Sequence, residues 1–87
     1  MSNLVLRLMI TNFDTNIKIA RGKHIDNETF EKITIIAKSS IPTIEKVKKI
    51  VQMLKSRDIN VRVEARMSRL GERSRYYITY VDFVLDN

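Results

Sequence analysis

The chain has 87 residues, no cysteine and a formal net charge of +6. Its length predicts one domain, residues 1–87, with a small core, and 44% hydrophobic with 30% charged residues is typical of a folded protein. The lack of cysteine excludes disulfides, thiolate nucleophiles and cysteine-based zinc sites, and no apolar run reaches the roughly 18 residues of a membrane span. We therefore expect a cytoplasmic protein that does not associate with a membrane.

The first predicted elements are two paired strands. Apolar residues alternate over Leu4 to Ile10, and the second face of this strand is also fairly apolar, so we expect it to be central or covered. The turn-forming stretch TNFDT follows, and residues 16–21 predict a shorter strand that pairs with the first. Gly22 and Lys23 then end the pattern.

Residues 25–41 allow two interpretations. Asp26 can cap a helix, in which Phe30, Ile33 and Ala37 would share one face. Residues 33–36 are four consecutive β-branched residues, which fit a buried strand better. We favour a short helical turn near 27–32 followed by a strand over 33–38. The alternative is one helix over 27–38 that forms a helical hairpin with the next helix.

The clearest helix runs from about Thr43 to Arg57. Pro42 suits the start of a helix, and Lys55 with Arg57 complements the negative end of the helix dipole. Apolar residues recur at intervals of three and four, which predicts a stripe that packs against a sheet. These residues are Ile44, Val47, Ile50, Val51 and Leu54.

Residues 59–85 predict a long β-hairpin with Gly71 in its loop. One face of each strand should point inward. The inward residues are Ile59, Val61, Val63, Ala65 and Met67 in the first strand, and Tyr77, Thr79, Val81, Phe83 and Leu85 in the second. The predicted fold is therefore α+β: a small single-layer mixed or antiparallel sheet packed against one main helix (43–57), with a long C-terminal basic β-hairpin (59–85).

Positive charge is concentrated in residues 39–75, which carry ten basic and four acidic residues. Five of the cations surround the predicted loop, and we call residues 62–75 the basic arm. Its arginines are Arg62, Arg66, Arg69, Arg73 and Arg75. Guanidinium groups bind phosphates through a planar fork of donors, although a charged edge strand also serves to block aggregation. Tyr76 and Tyr80 could stack on unpaired bases, or they could simply pack on the sheet or in a dimer.

Signals for catalysis are weak. His24 is the only histidine, so there is no imidazole pair for a metal and no marked catalytic triad. Gly22 and Lys23 lack the spacing of a phosphate-binding loop. We expect no enzymatic activity, no metal, no cofactor and no small-molecule substrate.

From Asn16 onward the order of features resembles the Alba family of small archaeal chromatin and RNA-binding proteins. NIKIARGKHI is similar to the first strand and its glycine-lysine turn, ITIIAKSSIPTIEKVKKIVQML to the second strand and helix, and INVRVEARMSRLGERSRYYITYVDFVL to the terminal hairpin. The resemblance implies that Lys23 faces nucleic acid, that Lys38 occupies a basic position of the family, and that Arg66, Arg69, Arg73 and Arg75 form an arm that enters the minor groove. It also implies a homodimer that coats double-stranded DNA or binds RNA. The chain departs from the family at Ser39, where a glycine is usual, and in the added strand at Leu4 to Ile10. The family's first helix is also missing or shortened, since only the residues between His24 and Ile33 remain for it.

These patterns predict a small basic non-enzymatic protein that binds DNA or RNA, as a homodimer, and contacts phosphates through the basic arm and the polar face of the 43–57 helix. The alternative is a small viral or mobile-element regulatory protein that binds another protein through its hairpin or sheet edge. The candidate nucleic-acid-binding residues are Lys23, Lys38, Lys48, Lys49, Arg62, Arg66, Arg69, Arg73, Arg75 and Tyr76.

Overall fold

A computed structural model of the protein describes residues 3–12, 16–69 and 71–86. Six elements follow one another along the chain: β1 (Leu4–Thr11), β2 (Lys18–Arg21), α1 (Asn27–Lys38), α2 (Thr43–Ser56), β3 (Val61–Arg69) and β4 (Tyr77–Leu85). The strands form one antiparallel sheet in the order β2-β1-β4-β3. The predicted α+β class is confirmed, as is the central position of β1.

The strand register separates the sheet into two faces. On one face, Leu6 lies opposite Phe83 and Leu8 opposite Val81, and these residues share a buried cluster with residues of both helices. We call this the core face. On the other face, Arg7 lies opposite Asp82 and β1 and β4 present mostly half-buried side chains, and we call it the open face. The helices therefore cover one side of the sheet, as an α+β layer arrangement requires.

Residues 27–38 form one helix, so the strand predicted over 33–38 is wrong and the alternative is correct. The Asp26 side chain accepts a hydrogen bond from the Thr29 backbone N–H at 3.4 Å, which caps the helix. This bond also lowers the pKa of Asp26. Ile33 and Ala37, four residues apart, are completely buried. Burial of this stripe outweighs the strand preference of the β-branched residues, because propensity is a weak prior against tertiary packing. The sheet consequently packs against two helices instead of one main helix.

Helix α2 buries Ile50 and Leu54, as its apolar stripe predicts. Near its start, however, an apolar residue of the stripe is exposed and a lysine outside the stripe is buried. Ile44 is 67% exposed, while Lys46 is 7% exposed. The Lys46 Nζ donates a 2.8 Å hydrogen bond to the Ala37 carbonyl, near the C-terminus of α1. The ammonium group thus satisfies a buried carbonyl at the negative end of α1, which ties the two helices together. Neither α1 nor α2 is long and apolar enough to cross a membrane.

Strand β3 lies at the edge of the sheet, and most of its expected inward face is exposed. Val63 is 39% and Met67 65% exposed, and Ala65 is also exposed. The prediction that these three residues point into a core is therefore wrong, although Val61 packs against the core cluster. The helices do not extend over this part of β3, whereas Val81 and Phe83 in the neighbouring strand β4 are buried.

Gly22 marks the junction between β2 and α1, where the backbone passes close to the start of β1. The Gly22 N–H donates to the Val5 carbonyl at 2.8 Å, and the Lys23 N–H donates to the Leu4 carbonyl at 3.1 Å. A Cβ atom on Gly22 would lie 2.0 Å from the Leu4 carbonyl oxygen. A residue without a side chain is required by this close approach rather than by a left-handed backbone conformation.

Candidate nucleic-acid interface

The arginines of the basic arm are all exposed. Three of them converge where β3 and β4 approach their connection. Arg69, Arg73 and Arg75 line a pocket of about 480 Å³ together with Asn12, Glu72, Ser74 and Tyr77. Among the described residues, no carboxylate oxygen lies within 4.0 Å of these guanidinium groups. We call Arg69, Arg73 and Arg75 the tip cluster. Three cationic side chains line one solvent-accessible space, and such a grouping suits an anion.

Asn12, at the end of β1, holds the base of the tip cluster in place. Its Nδ2 donates a 2.6 Å hydrogen bond to the Arg75 carbonyl, and its Oδ1 accepts a 3.1 Å bond from the Tyr77 backbone N–H. The amide therefore continues the strand ladder beyond β1 by imitating a peptide group. Asn12 was not among the predicted site residues. The sequence marks it only as a turn former, because its partners lie more than sixty positions away.

The open face presents a second arginine arrangement, around Tyr80. The guanidinium carbon of Arg66 lies 4.3 Å from the centre of the Tyr80 ring, and that of Arg7 lies 5.1 Å from it. Arg7 also makes two hydrogen bonds to Asp82, at 2.6 and 2.8 Å, which raise the pKa of Arg7. The bidentate contact with Asp82 thus holds Arg7 in position, while Arg66 is exposed and contacts Tyr80 through a cation–π interaction. Sequence reasoning missed Arg7 and Asp82, because only the pairing of β1 with β4 brings them together.

The tyrosine environments differ. Tyr80 is half-buried beneath the two guanidinium groups, whereas Tyr76 is 44% exposed and precedes β4 close to the tip cluster. A base that stacks on an aromatic side chain needs an accessible ring face. Of these two tyrosines, Tyr76 is the more accessible to a ligand.

Arg62 lies apart from the tip cluster. It sits opposite Val84, near the start of β3. Its Nε donates to Glu64 at 2.8 Å, and its Nη1 lies 3.3 Å from the Leu85 carbonyl and 3.7 Å from Asp86. Two carboxylates partly neutralise this guanidinium, so it contributes less net positive potential than the three tip arginines.

The predicted lysines are exposed but do not join the tip cluster. Lys23 follows β2, beside the start of β1, at the end of the sheet that carries Arg62. Lys48 and Lys49 lie on α2, and Lys48 is 4.0 Å from Glu45. Lys38 lines a separate cleft of about 710 Å³, together with Lys18 and the buried Lys46. The structure therefore divides the predicted site residues between the tip, the helices and the far end of the sheet.

No protein-family model, curated protein or solved structure matches this chain. Within residues 3–12, 16–69 and 71–86, no group of three histidine, aspartate or glutamate side chains is arranged to hold a metal ion.

Proposed function

We propose that this protein is a small non-enzymatic nucleic-acid-binding protein that acts as a homodimer and grips phosphates with its basic arm. The observation that carries the proposal is the tip cluster, in which Arg69, Arg73 and Arg75 surround one open pocket. Phosphate oxygens are the anions that such forks of N–H donors match in geometry and charge.

Two further features support the proposal. The net charge of +6 matches the excess of basic residues in positions 39–75, which include the arm and α2. Asn12 fixes the backbone on both sides of Tyr76, so the arginines extend from an ordered base and lose less conformational freedom on binding. The exposed Tyr76 ring offers a stacking surface beside these phosphate-binding groups.

The test is a salt titration of the purified protein against fluorescent duplex DNA, single-stranded DNA and RNA of equal length. Each phosphate neutralised contributes about 0.9 to the slope of log affinity against log salt for duplex DNA, and about 0.7 for a single strand. The double variant Arg69→Ala/Arg73→Ala should therefore lower the magnitude of the slope by about 1.8 per bound protomer on duplex DNA. Its circular dichroism spectrum should remain that of the wild type, because both side chains are exposed.

The matched control is Lys18→Ala/Lys32→Ala, which removes the same charge from exposed positions of β2 and α1, outside residues 39–75. This variant should bind with a nearly unchanged slope. The proposal is wrong if the wild type binds none of the three ligands at low salt. It is also wrong if the two double variants lose affinity equally, since the effect would then follow net charge alone.

The exposed edge of β3 favours a second candidate function, in which this strand binds the sheet edge of another protein. Such a complex would form through main-chain hydrogen bonds and would not need the tip cluster. Capture of a partner that survives nuclease treatment and persists in Arg69→Ala/Arg73→Ala would support it, whereas complete loss of the partner after nuclease would count against it.

A further inference from the structure

The outer edge of β3 is the longest unpaired strand edge in the described structure. β3 has nine residues and pairs with β4 alone, whereas β2, at the opposite edge, has four. Exposed edges of this length present a row of backbone donors and acceptors to other chains, so proteins usually shorten, bend, cover or charge them. The edge of β3 is long and charged, so it accepts only a strand that presents opposite charges in matching positions.

The side chains of residues 63–67, in the middle of β3, are self-complementary about Ala65. Glu64 and Arg66 flank this residue on the open face, while Val63 and Met67 flank it on the core face and are both exposed. In an antiparallel pair of identical strands centred on Ala65, Glu64 lies opposite the partner's Arg66 and Val63 lies opposite the partner's Met67. The two-fold axis repeats each of these pairs.

We propose that β3 pairs antiparallel with β3 of a second copy of this chain, with the two-fold axis at Ala65. A second copy matches this edge in charge and in apolar character, and opposite charges and apolar side chains that face each other across strands stabilise a sheet. All nine residues of β3 are used, and the two sheets join into one eight-stranded sheet. The interface is isologous and closed, so it produces a dimer rather than a fibre.

Neighbouring registers are worse. Side chains that lie opposite each other in an antiparallel pair point to the same face of the sheet, so the two-fold axis must pass at a residue and not between two residues. Each alternative register therefore places a different residue of β3 on the axis. A centre at Glu64 places two carboxylates opposite each other and sets Arg62 against the partner's Arg66. A centre at Arg66 places two guanidinium groups opposite each other. A centre at Val63 pairs only Val61–Ala65 and leaves Met67 without a partner.

This dimer would set the geometry of the proposed nucleic-acid interface, and that consequence rests on the proposed function. The strands run in opposite directions, so the two tip clusters lie at opposite ends of the joined pair. Arg69 and the partner's Arg69 are eight residues apart along the strands, which is about 27 Å at about 3.4 Å per residue. Two phosphate-binding sites would then lie on one sheet at this spacing.

The first test uses the absence of cysteine from the natural chain. In the Ala65→Cys variant the two introduced thiols meet on the axis, where opposite Cα atoms are about 4.5–5.5 Å apart, within the range for a disulfide. Mild oxidation of the nucleic-acid-free protein should therefore convert most of it to a covalent dimer on a non-reducing gel. The matched control is Met67→Cys, also exposed, whose thiols would be four residues apart, about 13 Å, and should not be linked. Equal cross-linking of the two variants, or none of either, would overturn the proposed register.

The second test exchanges charges and measures mass by light scattering after nuclease treatment. Glu64→Arg and Arg66→Glu each place like charges opposite each other twice, and each should weaken the dimer by about tenfold or more in Kd. The double variant Glu64→Arg/Arg66→Glu restores both pairs and should recover the wild-type dimer. Glu72→Arg, at the exposed tip, makes the same charge change outside β3 and should leave the mass unchanged.

A monomeric wild type, or a double variant that stays as weak as the single variants, would overturn the proposal. Because mass is read without nucleic acid, this failure is distinct from a failure of phosphate binding. A dimeric protein that binds no nucleic acid would refute only the proposed function.

Discussion

Replacing Gly22 by alanine should destabilise the protein more than any other glycine substitution available. The added Cβ would lie 2.0 Å from the Leu4 carbonyl oxygen, 2.7 Å from the Leu4 carbonyl carbon and 2.8 Å from the Val5 carbonyl oxygen. All three are backbone atoms of β1, the strand between β2 and β4. They cannot rotate away as a flexible side chain would, so the chain after β2 must separate from β1.

That separation breaks two backbone hydrogen bonds, from Gly22 to Val5 and from Lys23 to Leu4. Each bond contributes about 1 kcal/mol net, and forced displacement of packed atoms adds about 1–3 kcal/mol. The expected loss in free energy of unfolding is about 3–5 kcal/mol. A domain of this size has a total stability of roughly 4–13 kcal/mol, so the variant loses a large fraction of it. The melting temperature should fall by about 12–40 °C.

Thermal unfolding followed by circular dichroism, at one fixed protein concentration, measures this effect. The control is Gly71→Ala, at the only other glycine in the chain. Among the described residues, a Cβ there would come within 4 Å of the Ser74 Cβ alone, at 3.7 Å, which is an ordinary contact. Gly71 also has no positive φ, so alanine should change stability by less than about 1 kcal/mol in either direction.

A loss below about 1 kcal/mol in Gly22→Ala would refute the close approach of the β2–α1 junction to β1. An equal loss in the two variants would refute the argument as well, since the cause would then be a general effect of replacing glycine.

Three further predictions follow from side-chain contacts. Asn12→Ala should leave the global melting temperature within a few degrees of the wild type but speed hydrogen exchange of the Tyr77 amide, because the acceptor of that amide is lost. Unchanged exchange would contradict the hydrogen bond between the Tyr77 N–H and Asn12. Asp26→Asn keeps a helix cap but not a titrating one. The folded-state pKa of Asp26 lies below its ordinary 3.8, so its contribution to stability is complete at neutral pH and is lost as pH falls through that folded pKa. In acid titrations the stability of the wild type should therefore decrease more than that of the variant, and parallel curves would refute this. Ile33→Ala should cost about 2–5 kcal/mol in urea unfolding and Ile35→Ala less than about 1, because Ile33 is buried and Ile35 is 71% exposed; similar losses would contradict the orientation of α1.

The two proposals assign different roles to two parts of the basic arm: phosphate binding to the tip cluster and dimerisation to the edge of β3. Arg69, Arg73 and Arg75 line a solvent-accessible pocket, and no described carboxylate oxygen lies within 4.0 Å of their guanidinium groups, which suits phosphate contact. Glu64 and Arg66, on the same strand, have charges that complement a second copy. Variants at the two places should therefore separate nucleic-acid affinity from dimerisation.

Local signals in the sequence were sufficient for β1, for α2 and for the start of α1. Alternation over Leu4 to Ile10 and the stripe through Ile50 and Leu54 identify elements whose faces are buried in the structure. Asp26 caps α1 as predicted, since a cap depends on neighbours three residues away. The concentration of arginine in the arm was likewise visible without any structure.

Only the tertiary structure decided the elements whose local preferences conflict or whose partners are distant. Residues 33–38 are helical because Ile33 and Ala37 become buried together. The β-branched residues in this segment favour a strand locally, so the local sequence does not reveal this burial. Val63 and Met67 are exposed because no helix covers that part of the edge strand, although their alternation equals that of a buried face. The hydrogen bond from Asn12 to the Arg75 carbonyl joins distant parts of the chain. Periodicity shows which residues share a face, but the packing of the whole chain determines whether that face meets a core, solvent or another molecule.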